Sequence, residues 1–197
     1  MNFIESQLKS KELMEIIKRN GIIVSSQPIV LSSGERSNFY YDLKMVLTDP
    51  VGATLIGELL YDIISKEFNA KSVGGLEMGA IPISTAIIII SSLRRSSSEG
   101  IKQFIVRRNV KTHGSGKKVE GYLADPVVVV DDVMTKGNSV VQAIEAVRSE
   151  GYSTTGVVLV IDREVPHNSV KDKVKCFSIF NHSDFKEYID EKLKEIH

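Results

Sequence analysis

At 197 residues the chain is long enough for one domain with a central sheet covered on both faces, and two independent ones would be cramped. Its 25 Lys and Arg balance 25 Asp and Glu, so the molecule as a whole offers no general attraction for nucleic acid or an anionic membrane. The single cysteine, Cys176, excludes an intramolecular disulfide and any cysteine-based zinc cluster, and suits a reducing cytoplasm.

The first ten residues, MNFIESQLKS, lack the basic-then-apolar order of a secretory signal. The most apolar stretch, residues 80–93, is broken by Pro82, Ser84 and Thr85 and is too short to span a bilayer, so no membrane association is expected. Leu8, Leu13, Ile16 and Ile17 share one face of an opening helix that ends at Asn20-Gly21, where Gly21 is expected in the left-handed conformation that closes helices. Residues 29–31 and 39–43 flank the turn-forming run SSGERS, which predicts a hairpin apart from the main sheet. Asp49 and Pro50 then read as cap and first residue of a helix whose Leu55, Ile56, Leu59, Leu60, Ile63, Ile64 and Phe68 form a broad apolar stripe.

Strands and helices alternate from there. Strands are expected at 72–76, 102–106, 127–130, 155–161 and 175–180, with helices near 81–93 and 139–150 between them. Gly151 ends the second of these helices, and Ser183 is expected to cap a terminal amphipathic helix. The pattern is that of an α/β domain with a mostly parallel central sheet flanked by helices and a small N-terminal hood. One long gap, residues 107–126, holds three glycines and six Arg, Lys or His residues; loops of this length are functional or merely solvated.

The segment VVVVDDVMTKGNS carries the most chemistry. Four β-branched residues after Pro126 fit a strand buried on both faces, with Asp131 and Asp132 at its carboxyl end, where open parallel sheets bind their ligands. Two carboxylates there can accept hydrogen bonds from a polyhydroxylated substrate such as a ribose. Thr135, Gly137, Asn138 and Ser139 offer backbone N–H groups, hydroxyls and the unpaired amides of a helix start, a setting for a phosphate monoester. Together these describe a site for ribose 5-phosphate; an ordinary buried strand followed by a capped helix is the plainer alternative. Neither a Walker loop nor a dinucleotide fingerprint occurs in the chain.

This motif resembles the PRPP-binding motif of the type I phosphoribosyltransferases, and over nearly the whole chain the resemblance narrows to the orotate phosphoribosyltransferase family. LSSGERSNFYYDLK is similar to that family's hairpin over the substrate, GLEMGAIPIS to its pyrophosphate-side loop, VRRNVKTHG to its mobile catalytic loop and VIDRE to its base-side strand end. The resemblance implies transfer of the phosphoribosyl group of PRPP to N1 of orotate, with Mg²⁺ held mainly by PRPP and water. It implies one domain over residues 1–197, with 1–45 as helix and hairpin hood and 107–121 as a mobile loop. Asp131, Asp132, Val133, Met134, Thr135, Lys136, Gly137, Asn138 and Ser139 would bind ribose and 5-phosphate. Arg107, Lys111 and His113 would reach the partner's site in a homodimer, with Lys111 catalytic, while Arg108 acts within its own subunit. Tyr40, Tyr41, Thr135 and Arg163 would contact orotate, and Glu77, Met78 and Gly79 would line the pyrophosphate side.

Many bacterial members carry lysine where this chain has Ser32 and Gly79, and the bond equivalent to Glu77-Met78 is often a non-proline cis peptide in related structures. Arg163 also has a rationale of its own, because a guanidinium after a buried strand can grip the carboxylate of orotate with two parallel hydrogen bonds. An ion pair with Asp162 or Glu164 is its plain alternative. The function-level alternatives are transfer to a purine or to uracil, or a PRPP-sensing regulator that binds nucleic acid.

Overall fold

The computed structural model describes residues 3–30, 34, 36–94, 100–109, 117–166 and 168–196. An opening helix α1 (Phe3–Asn20) buries Leu13, Ile16 and Ile17, while Leu8 is exposed, so the buried stripe covers only the helix's second half. Gly21 does not take the expected left-handed conformation. Its amide bonds back to the Ile17 carbonyl at 2.8 Å, and a side chain there would meet Leu43 and Val46, so close packing explains the glycine. Strand β1 (Ile22–Val30) follows at once and pairs antiparallel with β2 (Arg36–Tyr41), starting from Ile22 opposite Tyr41. This two-stranded sheet is separate from the main one, as the hairpin pattern predicts, although β1 begins seven residues earlier than the expected start at 29 and β2 ends at Tyr41.

A short helix α2 (Lys44–Leu47) leads to α3 (Pro50–Glu67), capped by Asp49, whose carboxylate accepts from the amides of Val51 and Gly52, each at 2.9 Å. The main sheet then builds from β3 (Ser72–Leu76), α4 (Ala80–Arg94), β4 (Lys102–Val106), β5 (Val119–Gly121), β6 (Val127–Met134), α5 (Asn138–Ser149), β7 (Thr154–Asp162) and β8 (Cys176–Asn181), and α6 (Lys186–Glu195) closes the chain. Strand order is β5-β4-β3-β6-β7-β8, with β5 antiparallel at one edge and the other five parallel. The edge strand β5 falls inside the long basic gap, where it is too short to leave a periodic signal. Ser183 caps nothing: the turn at His182–Asp184 is closed by a reciprocal pair in which Asn181 and Asp184 each accept from the other's backbone.

The valine run alternates as a strand between two helical layers must. Val128 and Val130 pack into the core beneath α1, α3 and α4, and Val127 and Val129 into the core beneath α5. All four are fully buried, each burial contributing roughly 1.5–3 kcal/mol relative to exposure. The strand does not stop before the acidic pair, however. It continues to Met134, with Asp131 opposite Leu159 and Met134 opposite Asp162 on β7, so the carboxylates project from within its last half.

Chain order reverses between β3 and β6: β4 extends the sheet on one side of β3, β7 on the far side of β6. Pairing between β3 and β6 ends at Gly74 and Val129, beyond which the two strands lead into different loops and a crevice opens.

Candidate active site

In that crevice lies a cavity of about 300 Å³, walled by Tyr40, Tyr41 and Lys44 from the hood, Leu76 to Gly79 after β3, Arg108 after β4, Asp131, Asp132 and Val133 on β6, and Thr135, Ser139 and Arg163. A second hollow of about 220 Å³, lined by Met134 to Ser139 and Gln142, shares Arg108, Asp131, Val133, Thr135 and Ser139 with it. A larger groove beside β8, of about 590 Å³, contains Asp162 and residues 171–178 but none of the sequence-predicted site residues.

Strand alternation separates the two acidic neighbours. Asp131 borders both hollows, whereas Asp132 sits against Gly79, where an added Cβ would lie 2.8 Å from its Cγ. Gly79 is therefore the residue that leaves room for the Asp132 carboxylate. Asp131 is only 7 % exposed. Burial, and after it the charge of Asp132, holds its carboxyl well above the ordinary range, opposed by a hydrogen bond from the Asp132 amide at 3.1 Å. Asp132 in turn accepts from the Val133 amide at 2.8 Å.

The loop after β6 turns through Gly137, whose left-handed φ of 81° only glycine adopts cheaply, and α5 begins at Asn138 with no side chain capping its first amides. Those amides, with the Ser139 hydroxyl, are thus at the disposal of an anion. Beneath the loop, buried Asn168 donates from Nδ2 to the Thr135 carbonyl at 2.9 Å.

On the opposite wall the Glu77-Met78 bond is cis, as the resemblance implies. The Glu77 carboxylate accepts from the Arg108 amide at 2.9 Å, tying the loop after β3 to the start of the basic segment, while the Met78 side chain is exposed. Arg108 faces the cavity. Arg107 does not: its Nε pairs with Glu120 on β5 at 3.1 Å. Lys111 and His113 lie outside the described residues, as does Ser32.

On the base side Tyr40 is half-buried, and Tyr41, 3 % exposed, serves as a wall packed edge-on to Phe39 and Phe185. Burial pushes its hydroxyl far above its ordinary range, so it remains a proton donor. Arg163 makes no ion pair with its acidic neighbours. Asp162 pairs with Lys171 and accepts from the Glu164 amide, and Glu164 accepts from the Ser183 amide at 2.7 Å. The guanidinium instead lies 4.7 Å from the centre of the Phe39 ring, facing the cavity.

Four residues of the site escape a reading of the sequence. Lys44 and Phe39 lie within the hairpin segment but carry no motif of their own. Asn168 and His182 come from the connections around β8 and have no local signal at all.

Comparison with known proteins bears on the family and the fold. A family model described as phosphoribosyl transferase domain matches residues 42–195. The orotate phosphoribosyltransferase of Aquifex aeolicus is 38 % identical over 182 residues, covering 90 % of this chain and 97 % of that protein. That of Bradyrhizobium sp. strain BTAi1 is 39 % identical over 158 residues, covering 77 % and 82 %. The crystal structure of the Mycobacterium tuberculosis orotate phosphoribosyltransferase in complex with PRPP superposes with a TM-score of 0.70 at 28 % identity, covering 90 % of this chain and 99 % of that one.

Proposed function

The chain belongs to the phosphoribosyltransferase family, among its orotate phosphoribosyltransferases, and from that premise we propose how its crevice performs the transfer. The reaction moves the 5-phosphoribosyl group of PRPP to N1 of orotate, giving orotidine 5′-phosphate and pyrophosphate in pyrimidine biosynthesis. The bond from the anomeric carbon to pyrophosphate breaks, a bond to N1 of the base forms, and the N1 proton is lost to the departing pyrophosphate or to solvent.

Asp131 and Asp132 hold the ribose hydroxyls and face the ring on which positive charge develops in the transition state. Residues 135–139 take the 5-phosphate on backbone amides and hydroxyls. Arg108, Lys44 and the loop of Glu77, Met78 and Gly79 face the departing pyrophosphate. The base lies between Tyr40 and Arg163, its carboxylate on the guanidinium. Lys111 is the catalytic cation, and it reaches, with Arg107 and His113, the site of the partner in a homodimer. The outward pairing of Arg107 with Glu120 supports this division of labour, since that side chain leaves its own cavity to Arg108. Residues 107–121 then act as a catalytic loop over a single domain hooded by 1–45, working in the cytoplasm.

The donors facing the cavity are hard oxygens, which suit Mg²⁺, but among the described residues no group of three or more His, Cys, Asp or Glu could hold an ion alone. Mg²⁺ would rest mainly on PRPP oxygens and water, with Asp131 and Asp132 nearby, and would neutralise charge on the leaving pyrophosphate.

One observation carries the reading: an acidic pair and an amide-lined turn, contributed by one strand, meet in a single crevice opposite an arginine on an aromatic face. The test is the loss of orotate absorbance on adding PRPP and Mg²⁺ to the purified protein. Turnover of orotate, with far slower transfer to uracil and hypoxanthine, is the expected result, and equal use of the three bases would overturn the assignment of Arg163.

A further inference from the structure

The carboxamide of Asn168 is 5 % exposed and engaged at both ends. Its Oδ1 accepts from the Val170 amide at 3.0 Å, and its Nδ2 donates to the Thr135 carbonyl at 2.9 Å, across 33 residues of sequence. The orientation is unambiguous, because an amide N–H can only donate and a carbonyl can only accept.

The peptide that follows Thr135 is trans, since the cis bonds among the described residues are Glu77-Met78 and Asp125-Pro126. In a planar trans peptide the C=O and the N–H point in opposite directions. A carbonyl drawn down to Asn168 therefore sends the Lys136 N–H the other way, towards the hollow lined by residues 134–139. An anion site needs this division, because a carbonyl turned inward would repel the phosphate that the amides attract.

The support is built closely. A Cβ on Gly137 would lie 2.7 Å from Val170 Cγ2 and 3.3 Å from Asn168 Oδ1, so the turn at 168–170 is seated directly under the loop. The same turn continues to Lys171, which pairs with Asp162, the residue before Arg163. One buttress thus touches the phosphate side and the base side of the crevice.

We propose that Asn168 is a positioning residue for phosphate recognition, its carboxamide fixing the Thr135-Lys136 peptide with the N–H towards the 5-phosphate of PRPP. The inference rests on the reading of residues 135–139 as the 5-phosphate loop. It assigns to the β7–β8 connection a part in substrate binding that the motif on β6 does not contain.

The experiment compares full-length wild type with Asn168→Ala and Asn168→Asp, using steady-state kinetics in PRPP and orotate and competition by inorganic phosphate. In Asn168→Ala the KM for PRPP and the inhibition constant of phosphate rise about tenfold, the loss of one hydrogen bond and one fixed donor, with kcat and the KM for orotate within about twofold. In Asn168→Asp the carboxylate faces the Thr135 carbonyl, so PRPP binding is weakest at pH 8. It recovers towards pH 5, where the carboxyl proton can donate as the amide did, and wild type shows no such recovery. A KM for PRPP that stays at the wild-type value in Asn168→Ala overturns the proposal. So do equal rises in both KM values without acid recovery in Asn168→Asp, or a failure of both variants to fold, either of which makes the residue purely structural. If phosphate does not compete with PRPP even in wild type, the fault lies in the reading of the loop itself.

Discussion

The hydroxyl of Tyr41 lies 2.9 Å from Nδ1 of His182, joining the hood to the turn after the last strand across 141 residues of sequence. His182 also stacks on Phe39 with their planes 3° apart, and Arg163 covers the same ring. His182 thus helps to fasten the hood to the far end of the sheet, beside the contacts of Tyr41 with Phe185 and of Phe39 with Arg163, and its ionisation bears on that attachment. Burial, then the Arg163 charge, lowers the affinity of His182 for a proton; Lys186 acts in the same sense, and Glu164 and Asp190 act against it. A histidine whose folded value is depressed gives stability that is present above its ordinary value near 6.5 and lost as pH falls through the lower folded value. Wild type should therefore lose stability between pH 7 and 5 more steeply than His182→Gln, measured by urea unfolding. Parallel slopes would remove the contact from the account, and a double-mutant cycle with Tyr41→Phe should give a coupling of about 0.5–1.5 kcal/mol.

Asp131 presents the opposite sign. Its folded carboxyl is held above the ordinary range by burial and by Asp132, so the folded state binds its proton more tightly than the unfolded chain does. The stability this contributes is present at acid pH and lost as pH rises through the raised value. Asp131→Asn should accordingly gain about 1 kcal/mol at neutral pH, a rise in Tm of about 2–4 °C for a domain of this size, while turnover falls at least 100-fold. A variant that is both less stable and inactive would mean that the carboxylate is held by favourable contacts instead.

The parts of this site that could be read from the sequence are those where one short segment does two jobs. The valine run reports burial on both faces, and the acids and the Thr/Gly-rich turn follow it directly, so Asp131 to Ser139 could be recognised as a unit. Arg163 could be placed because it ends a second buried strand beside the first. Asn168 and His182 could not, since what they do depends on the β7–β8 connection folding back beneath Thr135 and on β2 crossing to the far end of the sheet, neither of which leaves a periodic trace. Gly21 misled for a related reason: a glycine after a helix usually signals a left-handed turn, yet here it makes room for Leu43 and Val46. The strand end at Met134 was obscured because acidic residues are poor strand formers, and only pairing with β7 carries the strand past them.

Gly79 and Asp132 make a prediction for this chain alone, since relatives with lysine at this position must seat the acidic side chain differently. Since a Cβ at position 79 would lie 2.8 Å from Asp132 Cγ and Oδ1, any side chain there must displace the carboxylate. Gly79→Ala should fold normally, because the group displaced is the end of a side chain, yet lose about 100-fold in kcat/KM from misplacement of a ribose ligand by about 1 Å. Wild-type turnover in this variant would show that the Asp132 position is not critical.

Action of the loop across a dimer is separable from action within one chain. Lys111→Ala should bind PRPP but turn over about 100- to 1,000-fold more slowly, as loss of a transition-state cation implies. Mixed with an inactive Asp131→Asn/Asp132→Asn double variant, it should recover activity, because each heterodimer would pair an intact acidic site with an intact partner loop. Absence of recovery, with subunit exchange confirmed by native mass spectrometry, would place Lys111 in its own subunit's site.

The role proposed for Arg163 is to select the base. Its guanidinium rests on Phe39 and is not drawn off by Asp162 or Glu164, which are occupied by Lys171 and by the Ser183 amide, so both of its forward N–H groups can meet a carboxylate. Arg163→Ala should lower kcat/KM for orotate about 100-fold, roughly 3 kcal/mol, with the KM for PRPP unchanged. Arg163→Lys should recover only part of this, because an ammonium keeps the charge but cannot offer two parallel donors. The informative comparison is with uracil, which has no carboxylate: any slow transfer to uracil should be the same in wild type and Arg163→Ala. If both substrates lose equally, the arginine supports the fold of the base pocket and the carboxylate is recognised elsewhere.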